Sequence, residues 1–149
     1  MTIKLRKVTK ENWQECINLQ VREEQRKFIA SNLYSIAQVQ FLENFEALAI
    51  YHNDSMVGFT LFGLDEDDRN YWIYRIMIDE KYQGQGHGKM ALKEIIQRLK
   101  DKPDCKEIIL GYHPENIGAE KMYISSGFQP KGMAPWGEKL ASYLVANHL

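Results

Sequence analysis

The alternation of apolar and polar positions along the chain predicts a mixture of strands and helices. Residues 3–7 alternate between apolar and charged side chains, as a half-exposed strand does. Longer apolar stretches bounded by turn residues predict further strands. The predicted strands cover residues 3–7, 47–52, 56–64, 71–78, 107–112, 128–133 and 140–145.

Helical spacing of apolar residues predicts two long helices in the second half of the chain. In the first of them, Leu92, Ile95 and Leu99 recur on one face, and charged residues occupy the other. The second is expected between Asn116, which is a good N-cap residue, and Gly127, which is a good helix terminator.

Two shorter helices are expected between the first and second strands. Thr9 is a candidate N-cap for one of them, which has Trp13 and Cys16 on its apolar face. Ser35 and Gln38 have the spacing of a capping box, which predicts another helix that runs to about residue 46. The predicted order is β-α-α-β-β-β-α-β-α-β-β. Strands 71–78 and 107–112 should be parallel, because a helix connects them.

Composition bounds the class of protein. A chain of 149 residues, 44% of them hydrophobic, suits one domain at residues 1–149 with a sizeable core. A net charge of −1 gives no reason to expect binding to nucleic acid or to an anionic membrane. Neither a membrane span nor a signal peptide is evident, so a cytoplasmic location is the default. The spacing of cysteines and histidines predicts no metal site.

A glycine-rich loop lies between strand 71–78 and the third helix. Gly84, Gly86 and Gly88 stand at alternate positions, which lets backbone N–H groups converge at a helix start and bind phosphate oxygens. The spacing excludes two common phosphate loops. A dinucleotide fingerprint requires glycine where Lys89 stands, and a P-loop requires Ser or Thr where Met90 stands.

Two motifs carry a family resemblance. Gln83, Gly86 and Gly88 fit the pattern Gln-x-x-Gly-x-Gly, which resembles the acyl-CoA-binding signature of the GNAT superfamily of N-acyltransferases. Residues 116–128 are similar to the Asn-x-x-Ala-x-x-x-Tyr-x-x-x-Gly-Phe helix of that family at every fixed position. The resemblance implies an α/β (α+β) GNAT-type fold, with a mixed central sheet of about seven strands and four helices. It spans nearly the whole chain.

The resemblance also implies acetyl-CoA as the acyl donor. In this family the loop amides hold the pyrophosphate of coenzyme A, the strand before the loop pairs with the pantetheine arm, and the asparagine contacts the cofactor. The expected cofactor-binding residues are Ile76, Met77, Ile78, Gln83, Gly84, Gln85, Gly86, His87, Gly88, Lys89 and Asn116.

The resemblance places Tyr123 beside the cofactor sulfur, where its phenol is expected to act as general acid. Without the surrounding motif, the same residue would be interpreted as a core tyrosine. The backbone N–H of Met77 or Ile78 is expected to stabilise the oxyanion.

An acceptor amine, with a pKa of about 10.4, must lose a proton before it attacks. Strand 71–78 contains no carboxylate to take it. Tyr74, His113, or Glu23 and Glu24 acting through water remain alternative bases.

Acidic residues suggest the acceptor. Glu23 and Glu24, with Asp65 and Glu66, are expected to border the acceptor side of the cleft together with Tyr74, and a polycation would be attracted there. Residues 25–37 resemble the inter-helix segment of bacterial spermine/spermidine acetyltransferases. The expected substrate is therefore a small-molecule amine, and specifically a polyamine.

Alternatives to this function remain open. They are acetylation of another small amine or of a protein amino group, and a non-catalytic acyl-CoA-binding sensor. A homodimer through the terminal hairpin is also expected. Trp136 of that hairpin lies either at the dimer surface or over the acceptor cleft.

Overall fold

The computed structural model describes residues 2–149 as a seven-stranded mixed sheet with helices on both faces. The strands are β1 (Ile3–Lys7), β2 (Phe45–His52), β3 (Ser55–Leu64), β4 (Tyr71–Ile78), β5 (Glu107–Tyr112), β6 (Gln129–Met133) and β7 (Lys139–Leu144). The α-helices are α1 (Trp13–Asn18), α2 (Asn32–Val39), α3 (His87–Lys100) and α4 (Ile117–Ser125). Short 3-10 helices lie at Glu23–Phe28, Glu80–Tyr82 and Val145–His148. None of the helices formed by residues 2–149 has the length and apolar character needed to cross a bilayer.

The sheet confirms the predicted element order. Its strands run β1-β2-β3-β4-β5-β7-β6. The first four form an antiparallel meander, and β4 pairs with β5 in parallel, as the connecting helix α3 requires. The last strand, β7, lies between β5 and β6 and is antiparallel to both.

Apolar side chains bury both faces of the sheet. On one face, Leu92, Ile95 and Leu99 of α3 pack in a cluster with Ile73 and Phe128. This confirms the apolar stripe predicted for that helix. The opposite face is covered by α1 and α2, and its centre includes Cys16, Phe59 and Met77. The sheet thus separates the core beneath α3 from the core beneath α1 and α2.

The start of α1 differs from its prediction. The helix begins at Trp13, and Asn12 occupies its N-cap position. Thr9 lies in the preceding turn, where its hydroxyl accepts the N–H of Glu11 at 3.3 Å and its N–H donates to the Asn12 side chain at 2.7 Å. The Asn12 side chain therefore closes this turn before the helix begins.

The predicted limits of α2 are wrong at both ends. Ser31 caps the helix by accepting the N–H of Tyr34 at 3.1 Å. Ser35 is buried inside the helix and donates its hydroxyl to the Ser31 carbonyl at 3.2 Å. The helix ends at Val39 rather than near residue 46, because β2 begins at Phe45. Ser31 therefore caps the free N–H groups at the start of α2 one turn before the predicted cap. At the other end, the residues from Phe45 onward belong to β2 instead of the helix.

Candidate active site

A cleft opens where two parallel strands separate. Within residues 2–149, β4 and β5 pair only at Tyr71–Ile108, Trp72–Ile109 and Ile73–Leu110. Beyond these pairs, β3 is the only strand among residues 2–149 that pairs with the second half of β4. A cavity of about 960 Å³ lies there, reaching from the glycine loop to the β6–β7 hairpin. One edge of β4 thus faces the cavity with its peptide groups available.

A β-bulge at Tyr74 shapes the cavity wall. Phe62 and Leu61 of β3 pair with Ile73 and Arg75, so Tyr74 is the extra residue of β4. The bulge sends two consecutive side chains to the α1–α2 face. The Tyr74 ring lies 4.4 Å from the Phe45 ring, and Arg75 donates a hydrogen bond to Gln38 of α2.

Peptide directions in β4 distinguish the two candidate oxyanion donors. Asp79 donates its N–H to the Val57 carbonyl of β3 at 2.8 Å. Because peptide groups alternate along a strand, the Met77 N–H also faces β3 and the Ile78 N–H faces the cavity. Consistent with this, the Ile78 carbonyl accepts a hydrogen bond from the Gln83 side chain at 2.9 Å. Ile78, rather than Met77, therefore presents its amide to the cleft.

The glycine loop has the geometry of an anion site. Gly84 and Gly86 have φ angles of +79° and +86°, and a Cβ built on either would meet nothing within 4 Å. Gly86 is the N-cap of α3, and no side chain of residues 2–149 caps that helix, so its first N–H groups are available to a ligand. The 14-residue helix adds the positive end of its dipole. The loop therefore fits a pyrophosphate.

Other loop residues support this surface. The Gln83 side chain donates to Gln25 at 2.9 Å as well as to Ile78, which ties the loop to the end of β4. Gly88 packs against Met122 of α4, since a Cβ there would lie 3.0 Å from the methionine sulfur. Lys89 lines the cleft, but the exposed Gln85 does not.

The side chain of His87 faces the interior. Only 2% of His87 is exposed, and its ring lies 4.7 Å from that of His52. Burial, together with His52, lowers the pKa of His87, so the ring is neutral at neutral pH. Only the backbone of His87 can therefore serve the loop.

Helix α4 carries Asn116 and Tyr123 into the cleft. The Asn116 side chain accepts the N–H of Ala119 at 3.3 Å, which confirms the predicted cap, and the same residue lines the cleft. Tyr123 is 7% exposed and also lines the cleft. Burial first, and then the negative charge of Glu138, raise the pKa of Tyr123, so the phenol keeps its proton across the neutral range.

The predicted acceptor residues separate into two groups. Asp65 and Tyr74 line the cleft, and the Tyr74 hydroxyl donates to the Asp65 carboxylate. Burial and this hydrogen bond raise the pKa of Tyr74, so it holds its proton and is a poor base. Glu23 and Glu24 are exposed outside the cleft, and Glu66 binds Asn44 and Arg69 instead.

His113 also lies outside the residues that line the cleft. Its ring lies 4.9 Å from that of Phe28, and its Nδ1 accepts the N–H of Glu115 at 3.1 Å. These contacts give it a structural role in the loop after β5.

The sequence patterns missed several residues of the cleft lining or left their place undecided. Gln38, Arg75 and Glu138 follow no motif in the sequence, and the pattern left the position of Trp136 undecided. Trp136 is 64% exposed at the rim of the cleft, and its indole N–H donates to Glu138 Oε1 at 2.6 Å. The Pro-Trp-Gly turn that precedes Glu138 was the only local signal available.

The cleft has no metal-ligand set. Across residues 2–149, no group of three or more histidine, cysteine, aspartate or glutamate side chains could hold an ion. Cys16 and Cys105 are buried free thiols. Burial raises the pKa of Cys16 to about 12 and that of Cys105 to about 11, so both are unreactive at neutral pH.

Comparison with known proteins assigns the family. Residues 7–128 match the acetyltransferase (GNAT) family. Spermine/spermidine N(1)-acetyltransferase of Bacillus subtilis strain 168 is 35% identical over 147 residues, which cover 94% of this chain and 97% of that protein.

Solved structures have the same fold at low sequence identity. The complex of AAC(6')-Ib with ribostamycin and coenzyme A has a TM-score of 0.83 at 15% identity, and the match covers 99% of this chain and 96% of that one. The PaiA N-acetyltransferase of Thermoplasma acidophilum in complex with coenzyme A has a TM-score of 0.73 at 18% identity, with 97% and 99% covered. GNAT acetyltransferases use acetyl-CoA, which the loop and the free edge of β4 fit. The chain belongs to the GNAT family of acetyltransferases.

Proposed function

We propose that this acetyltransferase transfers the acetyl group of acetyl-CoA to an amine of a polyamine such as spermidine or spermine. The observation that carries the proposal is the acidic lining of the acceptor half of the cleft, with Asp65 and Asp67 in one part and Glu138 in another. Separated carboxylates attract a ligand that carries several positive charges. The name of the 35% identical Bacillus relative supports the same substrate class.

In this proposal the cofactor half of the cleft holds acetyl-CoA through its backbone. Gly84 and Gly86 free the loop amides for the pyrophosphate, and Lys89 adds a positive charge beside them. The cleft-facing peptide of Ile76 suits an amide of the pantetheine arm, and Asn116 closes the other side. When bound, acetyl-CoA supplies an acetyl thioester, which is already activated toward amines.

Tyr123 is the proposed general acid. Its raised pKa keeps the hydroxyl protonated until charge develops on the departing sulfur. Burial disfavours the phenolate that is left on Tyr123, but it also disfavours an unprotonated thiolate in the same pocket. The two desolvation costs therefore offset each other when the proton moves from the phenol to sulfur. The Ile78 N–H, which faces the cavity, is the proposed donor to the developing oxyanion.

Thiol release from acetyl-CoA tests the proposed acceptor. Spermidine, spermine, a set of monoamines and lysine peptides are compared at equal concentration. Turnover with polyamines at a kcat/KM at least tenfold above the monoamines is the expected result. Preferred turnover with a monoamine or a peptide would replace the acceptor. Tight acetyl-CoA binding without thiol release from any amine would favour an acyl-CoA sensor.

The homodimer and the cytoplasmic location also stay predictions. Trp136 is exposed at the cleft rim, so a partner subunit at that hairpin would border the acceptor entrance. Light scattering coupled to gel filtration measures the oligomeric state, and a monomer across the working concentration range would reject the dimer.

A further inference from the structure

The hairpin that carries Glu138 positions its carboxylate at the cleft. Pro135 and Trp136 form a tight turn in which Gly137 donates its N–H to the Ala134 carbonyl at 3.0 Å. Gly137 then adopts a left-handed φ of +97°, and Ala134 donates to the Glu138 carbonyl at 2.7 Å. Strand β7 follows at once and pairs with β5. The hydrogen bond from Ala134 and the pairing of Lys139 with Tyr112 thus position the backbone of Glu138.

The side chain of Glu138 is fixed as well. Its Oε1 accepts the Trp136 indole N–H at 2.6 Å. A Cβ built on Gly111 of β5 would lie 2.9 Å from the same oxygen, so the carboxylate occupies the space that a side chain at position 111 would fill. Gly111 stands in β5 beyond its last pair with β4, where the two strands have separated.

Glu138 lines the same cleft as Tyr123, the proposed acid. After burial, the negative charge of Glu138 contributes to the raised pKa of Tyr123. The same charge opposes the burial that lowers the pKa of Arg75. The other carboxylates that line the described cleft are those of Asp65 and Asp67, in the turn before β4, and Asp65 is occupied by the Tyr74 hydroxyl. The nearby Glu120 accepts hydrogen bonds from Tyr112 and Lys139. Glu138 is therefore the carboxylate best placed for the reacting amine.

We propose that Glu138 is the proton acceptor for the acceptor amine, an inference that rests on the proposed acetylation of an ammonium-bearing substrate. The ammonium gives one proton to Glu138 Oε2, and the N–H electron pair stays on nitrogen. That nitrogen forms the new bond to the acetyl carbon while the bond from this carbon to sulfur breaks. Tyr123 gives its proton to sulfur and regains one from the acylated nitrogen, and Glu138 releases its proton to solvent. One proton is thus released for each amide formed.

The direct test compares acceptors that do and do not need deprotonation. Spermidine is paired with an analogue that carries two fluorines on the second carbon from the reacting amine, which lower the pKa of that amine. Both are assayed with the wild type and with Glu138→Gln, at a pH above the amine pKa of the analogue and below that of spermidine. Glutamine keeps the shape and an acceptor for the Trp136 N–H, but it cannot take the proton. Glu94→Gln, on the exposed face of α3, is the matched control.

We expect Glu138→Gln to lower kcat/KM for spermidine by about 100-fold or more, and that for the analogue by less than about 10-fold. An equal loss for both acceptors, or no loss for either, would overturn the assignment. Coenzyme A affinity should match that of the wild type, which separates this result from misfolding. If Glu138→Gln does not fold, Trp136→Phe replaces it, because this variant removes the indole donor to the carboxylate. It must then change the ratio of kcat/KM for spermidine to kcat/KM for the analogue.

The test also separates this inference from the proposed substrate. If the wild type acetylates no polyamine, the polyamine proposal fails, and the same comparison is made with the preferred amine and its fluorinated analogue. A selective loss there would still support Glu138 as proton acceptor.

Discussion

Gly111 of β5 and Glu138, which directly precedes β7, occupy complementary space, because the Glu138 carboxylate lies against the position of a β-carbon at residue 111. Gly111→Ala would place that carbon 2.9 Å from Glu138 Oε1 and displace the end of the Glu138 side chain. We expect kcat to fall at least tenfold, with a change in unfolding free energy below about 1 kcal/mol, since only a side-chain end must move. Steady-state kinetics and urea denaturation measure the two effects.

A double-mutant cycle decides whether this loss passes through Glu138. If Gly111→Ala acts by displacing the carboxylate, adding it to Glu138→Gln should lower kcat little further, because the single variant Glu138→Gln has already lost the proton acceptor. Additive losses in the double variant would show that the alanine harms the site in another way.

Removal of the Tyr123 hydroxyl should slow the chemical step. Tyr123→Phe keeps the buried ring and removes the proposed acid, so we expect kcat to fall about 100-fold or more with little change in acetyl-CoA binding. Tyr143→Phe is the control, because Tyr143 is equally buried but lies outside the cleft lining. A Tyr123→Phe enzyme with wild-type kcat would leave Tyr123 a core residue only.

The loop glycines should matter to the cofactor beyond their effect on folding. Gly86→Ala places a side chain in a left-handed conformation, which costs about 1 kcal/mol of stability, and obstructs the ligand side of the loop. Calorimetric titration with coenzyme A should show at least tenfold weaker binding. Gly132→Ala is a matched control, with φ of +97° and open space around its Cβ, but away from the cleft. Equal affinity losses in both variants would point to general strain.

The turn before β4 offers a matched pair of acidic residues. Asp67 lines the cleft, whereas its neighbour Glu66 binds Asn44 and Arg69. We expect Asp67→Asn to raise the KM for spermine several-fold, more at low salt than at high salt, because its charge is exposed. The KM for a monoamine should change less. Glu66→Gln should leave both values unchanged, and a larger effect from Glu66 would reverse this assignment.

Buried phenols predict a loss of stability at alkaline pH. Burial and a hydrogen bond to Asp104 raise the pKa of Tyr71 to about 12, above the value of about 10 in the unfolded chain. Below pH 10 both states hold the proton. Between about pH 10 and 12 the unfolded state releases it first, so the free energy of unfolding falls.

Tyr71→Phe tests this account by urea denaturation at several pH values. The variant should lose about 1 kcal/mol at neutral pH with its hydrogen bond, yet its stability should fall less steeply above pH 10. Tyr34→Phe, with an exposed ring, serves as the control. An unchanged slope in Tyr71→Phe would assign the alkaline loss to other groups.

Local patterns predicted the elements that carry the cofactor half. The limits of β4, the Asn116 cap and the glycine loop depend on neighbouring residues, and each was predicted correctly. The limits of α2 were wrong because Ser31 and Ser35 are both plausible caps, and only the packing of the sheet selects between them.

The acceptor half depends on contacts between residues distant in sequence. Arg75 faces α2 because of a one-residue bulge opposite β3, which no local pattern reveals. Glu138 reaches the cleft because β7 pairs with β5 and Gly111 leaves it room. Glu23 and Glu24 were expected at the cleft from their charge and from their place between the first two helices, but neither determines which way a helical turn faces.

The insertion of β7 between β5 and β6 also bears on the order of assembly. In the meander of β1 to β4, each strand pairs with the next strand of the chain. Strand β5 pairs with β7 instead, and α4 and β6 lie between these two strands in the chain. Such distant pairings close late in folding. We therefore expect the amides of β5 that bond to β7 to gain protection from hydrogen exchange after those of β2 and β3. A nascent chain would then form the β4 edge that faces coenzyme A before Glu138, the proposed proton acceptor, is in place.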